Sequence, residues 1–316
     1  PQTLTGVLQA RLDSLQNDAR AVLQQAAVVG RVFWDQAVEY LAAESAAPAA
    51  AAAQVDMPAT LAALYQRDLV FSRAISSFDR TQEYLFKHAL LRDVAYGSVL
   101  KRTRRSYHRL AAQWLEEVTL RSRRSDEFAA LIAQHYDTAE EAEQAAAWYL
   151  QAGRQAARSF ANNEALRAFS RAIELLSLDL PAHAPELRYA ALAERERVYD
   201  LLGQRAEQAA DLEQMEALVA QLGDALAEAE TALRRSQLAL AQGDYPLARD
   251  AALAAAALAR GAQATTSEAS ALLQHGQILL RQGEYAAALA QMQGAWRLAH
   301  TAGDRSLGAD SLHGQA

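Results

Sequence analysis

The chain has 316 residues, no cysteine and a net charge of −7, and its residues are 51% apolar but only 7% aromatic. Alanine and leucine carry that apolar fraction, which favours close-packed helices over a β-sandwich or barrel. Without cysteine there is no disulfide scaffold, no cysteine zinc site and no thiol nucleophile, and a reducing, cytoplasmic setting fits.

Pro1-Gln2-Thr3-Leu4 has neither the basic start nor the apolar core of an export signal, and a start without Met is expected of a piece of a longer protein. Leu4–Leu15 and Asp18–Val29 read as two short amphipathic helices, the second ended by Gly30, and Phe33–Leu41 as a third. Ala42–Gln54 is an Ala/Ser/Pro stretch expected to form a mobile loop. Leu61–Tyr65 starts a fourth helix. Leu69–Ser72 and Glu83–Phe86 read as two strands around a polar tip, Ser76–Gln82. One long helical stretch, His88–Arg121, closes this region, and helices followed by a small hairpin suggest a winged-helix-like module over residues 1–124.

The strongest signal is a period in residues 125–316. Gly203, Gly243 and Gly283 are 40 residues apart, and Gly223 and Gly303 are separated by twice that interval. Ala248 and Ala288, then Ala255 and Ala295, follow in the same register. A fixed interval of this size marks an array of helix pairs, with glycine at the turn because it tolerates positive φ. The last unit is expected to pair Ala269–Arg281 with Glu284–Ala302, Gly276 being small where the helices approach. An earlier unit carries Tyr149, Gly153, Ala165, Phe169 and Ala172, with Asn162-Asn163 expected in the turn, and Leu178–Pro185 then opens the next unit. The fold class is thus mainly α: a hairpin-containing module, then an α-solenoid of about four units. The longest Ala/Leu run, Ala251–Ala259, is half of what a membrane-spanning helix needs.

The Ala165, Phe169, Ala172 pattern resembles tetratricopeptide repeats, although the 40-residue interval exceeds the usual ~34. The strings Pro1–Leu4, Arg11–Leu15 and Ala26–Phe33 resemble the segment after the nucleotide-binding core of STAND-type signalling ATPases. Tyr84–Tyr96 and Arg105–Ala111 are similar to the same family, in the same order. The resemblance implies an ATPase core elsewhere in the same chain, working with ATP or ADP and Mg. It further implies a winged-helix module that controls the nucleotide state, a repeat region that senses the input, and a parent protein joined to a cyclase, a kinase or a DNA-binding regulator. His88 stands where the family carries a phosphate-facing histidine; the bland alternative is that it caps or packs against the following helix.

Catalytic chemistry is not visible in the chain itself. No GxxxxGK[ST] loop occurs, and the only lysines are Lys87 and Lys101, so this part is expected to be no enzyme and to hold no cofactor or metal. The basic run Lys101–Arg105 with Arg109 raises the possibility of DNA, but residues 125–316 carry a charge of −11 against +4 before them, and the reading is against nucleic acid. Repeat register places Arg154, Arg158, Arg197, Arg234, Gln237, Gln277 and Arg281 on an inner groove. Arginines there suit a peptide or acidic ligand, the input being a protein, a peptide or a small molecule; the alternative is ion pairing within the array. The function read from the sequence is a regulatory and sensor fragment of a signalling ATPase. A free-standing repeat adaptor and a DNA-binding regulator are the alternatives.

Overall fold

The computed structural model describes residues 4–45, 55–176 and 184–314, which fall into two compact units, residues 1–159 and 160–316. The division lies between Ser159 and Phe160, later in the chain than the change of charge at residue 124.

The first unit runs α1 (Leu4–Asp13), α2 (Asn17–Val29), β1 (Val32–Trp34), α3 (Asp35–Ser45), α4 (Met57–Gln66), β2 (Val70–Ser72), β3 (Glu83–Phe86), α5 (Ala89–Ser98), α6 (Lys101–Ser122), α7 (Ser125–Thr138) and α8 (Ala142–Arg158). The strands form an antiparallel sheet of order β1-β3-β2, with Phe33 opposite Tyr84 and Phe71 opposite Leu85. Two expectations change. The predicted helix Phe33–Leu41 begins as a strand, because Phe33 stacks on Tyr84 across the ladder at 5.6 Å between ring centroids. The predicted stretch His88–Arg121 is two helices, since Val99 and Leu100 take extended backbone between α5 and α6. The predicted mobile loop lies outside the described residues from position 46 to 54, and most of the predicted break between units, positions 177–183, lies outside them too.

The polar tip of the hairpin is less polar than its composition. Phe78 is buried in an aromatic box with Trp34, Trp114 and Phe128, at centroid distances of 5.1, 5.7 and 4.8 Å. Arg124 lies over Phe78 and Phe128 and donates to the Ser77 carbonyl. Glu83, 1% exposed, accepts from Ser77 N at 2.9 Å, from Ser77 Oγ at 2.7 Å and from Trp34 Nε1 at 3.2 Å, and pairs with Arg73. Burial works against its ionisation, yet the Ser77 and Arg73 bonds hold its pKa below the usual carboxylate value. The tip is therefore tied down at both its carboxylate and its ring.

The second unit runs α9 (Asn162–Leu175), α10 (Ala184–Leu202), α11 (Arg205–Leu222), α12 (Ala225–Gln242), α13 (Tyr245–Gly261), α14 (Thr265–Gln282), α15 (Tyr285–Ala302) and α16 (Arg305–His313). From α10 onward each helix packs on its predecessor, and α14 also touches α12 and α16, giving stacked helix pairs of tetratricopeptide-like form. The turns are tighter in rhythm than the sequence suggested. Left-handed residues recur every 20 positions: Gly203, Gly223, Gly243, Gln263, Gly283 and Gly303, with φ of 70, 63, 81, 58, 82 and 75°. Earlier, Phe160 takes the left-handed position (φ 58°), and the predicted turn residues Asn162-Asn163 instead open α9. Aspartates that follow three of the glycines cap the next helix: Asp224 Oδ1 accepts from Leu226 N at 2.9 Å, Asp244 from Leu247 N at 3.1 Å, and Asp304 from Leu307 N at 3.0 Å. Between the helices the buried side chains are small, Ala248, Ala252, Ala255, Ala288 and Ala295, so close approach of backbones replaces bulk.

Candidate functional site

The 40-residue interval puts Arg197 of α10, Gln237 of α12 and Gln277 of α14 at one register position, and all three are exposed. Around the first two lies a concavity of about 310 Å³, lined by Arg197, Asp200, Glu230, Arg234, Gln237 and Ser270 among others. Its floor is charged but internally paired. Arg234 Nη1 contacts Glu196 at 2.5 Å, with side-chain exposures of 11% and 3%, and donates to the Ala193 carbonyl at 3.2 Å. Gln208 Nε2 donates to the other Glu196 oxygen at 2.6 Å, so both carboxylate oxygens are engaged. A second buried pair lies on the same α10–α11 hairpin: Arg195 holds Asp211 at 2.5 and 2.9 Å and reaches Ser170 at 2.9 Å. Burial pushes the Asp211 carboxyl up, against the pull of Arg195. The side chains of Gln237, beside that floor, and of Gln277, in the next unit, make no hydrogen bond among the described residues and present free amide donors and acceptors.

The predicted groove residues do not form one set. Arg197, Arg234 and Gln237 come together, but Arg234 turns inward and forms floor instead of rim, because Glu196 draws it down. Arg197 contacts Glu194 at 3.5 Å. Gln277 and Arg281 border a wider, mostly apolar concavity of about 870 Å³ with Leu273, Leu280, Tyr285 and Leu289, beside the short α16. Arg154 and Arg158 belong to the other compact unit, where Arg158 pairs with Asp126 at 2.6 Å. Ion pairing within the array thus claims Arg158, Arg197 and Arg234.

His88 precedes α5, is exposed, and makes no side-chain cap of that helix. Its neighbour Lys87 pairs with Asp68 at 2.9 Å. Of the basic run on α6, Arg105 pairs with Glu140 and Arg109 lies 3.8 Å from Glu141. Among the described residues no three His, Asp or Glu side chains lie together as a metal site, and no helix is long and apolar enough to cross a membrane.

Sequence reasoning missed Glu196 and Gln208. The signal was available: Glu196 stands at the register of Ser236 and Gly276, and Gln208 at that of Ala248 and Ala288. A carboxylate and an amide where the repeat elsewhere wants small residues mark a departure from the pattern. It also missed the buried histidines His108 and His135, which periodicity alone does not distinguish from core.

The sequence matches no protein-family model and no curated protein. Solved structures resemble the fold. Aspartyl phosphate phosphatase F from Bacillus subtilis superposes with a TM-score of 0.50 at 12% identity, over 70% of this chain and 58% of that one. A STAND protein with a tetratricopeptide repeat sensor from Pyrococcus horikoshii gives a TM-score of 0.41 at 13% identity, over 100% of this chain and 49% of that one. A Rap protein complexed with competence and sporulation factor gives 0.45 at 12% identity, over 98% and 86%. The fold is tetratricopeptide-like. The chain spans 58% and 49% of the length of the first two structures, and identities this low bear on fold alone.

Proposed function

We propose that this chain is a non-catalytic sensor and regulatory region of a signalling ATPase of the STAND type. The repeats bind an extended protein or peptide segment. The module before them acts as a winged helix on the nucleotide state of a core carried elsewhere in the same protein, with ATP or ADP and Mg bound there. The observation that carries the binding reading is the exposed register Arg197, Gln237 and Gln277, the first two beside a charge-paired floor and the third over an apolar concavity. A glutamine side chain has both a donor and an acceptor, so successive glutamines match the alternating N–H and C=O of an extended main chain. Arg197, 64% exposed, then adds a preference for a carboxylate, exchanging its 3.5 Å contact with Glu194 for the ligand.

The regulatory reading draws support from the order helix, strand, helix, helix, hairpin with sheet order β1-β3-β2, as a winged helix needs. It also draws on His88, whose side chain is exposed and uncommitted to capping α5, leaving it available to donate to a phosphate of a core-bound nucleotide. The hairpin tip anchored by the buried Phe78 and the paired Arg105 and Arg109 speak against DNA reading. To switch a core from 1:99 to 99:1 the input must favour one state by about 5.5 kcal/mol.

Panning a random peptide display on this chain should yield binders, and Gln237→Ala with Gln277→Ala should weaken the best of them at least tenfold in a fluorescence titration. Binders indifferent to both changes would remove the site. ADP titrated into this chain alone should give no saturable heat; tight binding would place a nucleotide site within it and defeat the division of labour.

A further inference from the structure

Three residues from three helices of the first unit form one polar chain, its tyrosine half-buried and its two histidines buried. Tyr96 Oη of α5 lies 3.0 Å from His108 Nε2 of α6, and His108 Nδ1 lies 2.8 Å from His135 Nδ1 of α7. The two histidines are 6% and 4% exposed. A contact between two Nδ1 atoms holds one proton, so one ring donates and the other accepts; burial beside two guanidinium groups keeps both rings neutral in the closed state. His135 Nε2 has no hydrogen bond of good geometry, and the Val29 backbone at the end of α2 acts on it.

The charges facing this chain are all positive. Arg92 of α5 acts on both imidazoles, and Arg104 of α6 acts on His108. Both guanidinium groups also lie over the Tyr96 ring, at 4.6 and 4.9 Å from its centroid. No carboxylate is among the groups acting on either histidine in the described residues. One added proton still leaves an Nδ1–H to bridge the rings, but it sets a third cation beside two others, away from water; a second proton puts a hydrogen on both Nδ1 atoms and removes the bond.

We propose that Tyr96, His108 and His135 form an acid-released latch that holds α7, the helix leading into α8, against α5 and α6. Above neutral pH the latch is closed; acidification opens it, and α7 separates from α6.

Burial lowers His108 to about 3 and His135 to about 4 from an ordinary 6.5, with the neighbouring charges adding to the shift of His108. A histidine whose folded pKa is lowered contributes stability above its free pKa and loses it as pH falls toward the folded value. Each imidazole that takes up a proton on opening raises the opening equilibrium about 25-fold between pH 7 and pH 5, and two raise it about 600-fold.

The test is hydrogen exchange read by mass spectrometry on the full chain at pH 7 and pH 5, corrected for intrinsic exchange rates. Protection of α7 should fall several hundredfold in the wild type, about 25-fold in His108→Gln, and hardly at all in the His108→Gln, His135→Gln double variant. Equal acid sensitivity in wild type and double variant would overturn the latch. Should the variants not fold, the imidazole resonances of the wild-type protein decide the matter. Signals unmoved down to pH 5 while the fold persists support the latch; an ordinary titration near 6.5 within the folded state refutes it.

Discussion

The hairpins α10–α11 and α14–α15 occupy the same place in the repeat and close it in opposite ways. In α14–α15 the register position is Gly276, and a Cβ there would stand 2.8 Å from Met292 Cγ and 3.3 Å from the Ala288 carbonyl. The helices touch through the absence of a side chain. In α10–α11 the same position is Glu196, which fills the gap with a carboxylate bonded to Gln208 and Arg234. The intermediate case is Ser236, whose hydroxyl donates to the Ala248 carbonyl at 2.7 Å. One register thus accepts steric closeness, a single hydrogen bond or a buried ion network. The network has a further consequence: because Arg234 belongs to α12, it ties one helix pair to the next.

The largest expected effect comes from breaking the network on one side. Glu196→Ala leaves the Arg234 guanidinium buried without its partner and should cost about 3–5 kcal/mol in urea unfolding. Replacing the whole set by its equivalents from later repeats, Glu196→Ser, Gln208→Ala and Arg234→Gln, should recover most of that loss, since removing both partners of a buried pair is often neutral. If the triple variant is as unstable as the single one, the equivalence of the two hairpins is wrong. A smaller loss, about 1–3 kcal/mol, is expected for Gly276→Ala, because Met292 must leave its rotamer to make room. The same substitution at Ser236, where a Cβ already exists, should cost only about 1 kcal/mol for the lost hydroxyl bond. Smallest, and opposite in sign, is Gln263→Gly. It relieves a left-handed non-glycine turn and should raise stability by several tenths of a kcal/mol, read as a higher Tm.

The glycine period was legible because five of the seven left-handed positions among the described residues of the second unit carry glycine. Its true beat of 20 residues was hidden by Gln263, and in the earlier helices by Glu140 and Phe160, which adopt the same conformation without the residue that advertises it. Phe78 was unreadable for a different reason. Its partners Trp34, Trp114 and Phe128 come from a strand and two helices far apart in the chain, so only the tertiary fold turns a lone aromatic in a polar run into core. Val32–Trp34 was too short to show alternation and merged with the helix after it. At the site, exposed register positions such as Gln237 and Gln277 could be placed by counting. The inward turn of Arg234 depended on Glu196, thirty-eight positions away along the chain.

The even spacing of the left-handed turns constrains how such a protein can change length. Excising twenty residues from one turn to the next would preserve every bend yet hand the places of the Gln237 and Gln277 helices to their neighbours, turning the array inside out. Removing forty would restore the original assignment, one storey shorter. Losing a single residue within a helix would rotate the rest of the stack by about 100°, so growth and shrinkage of this architecture should proceed in whole pairs.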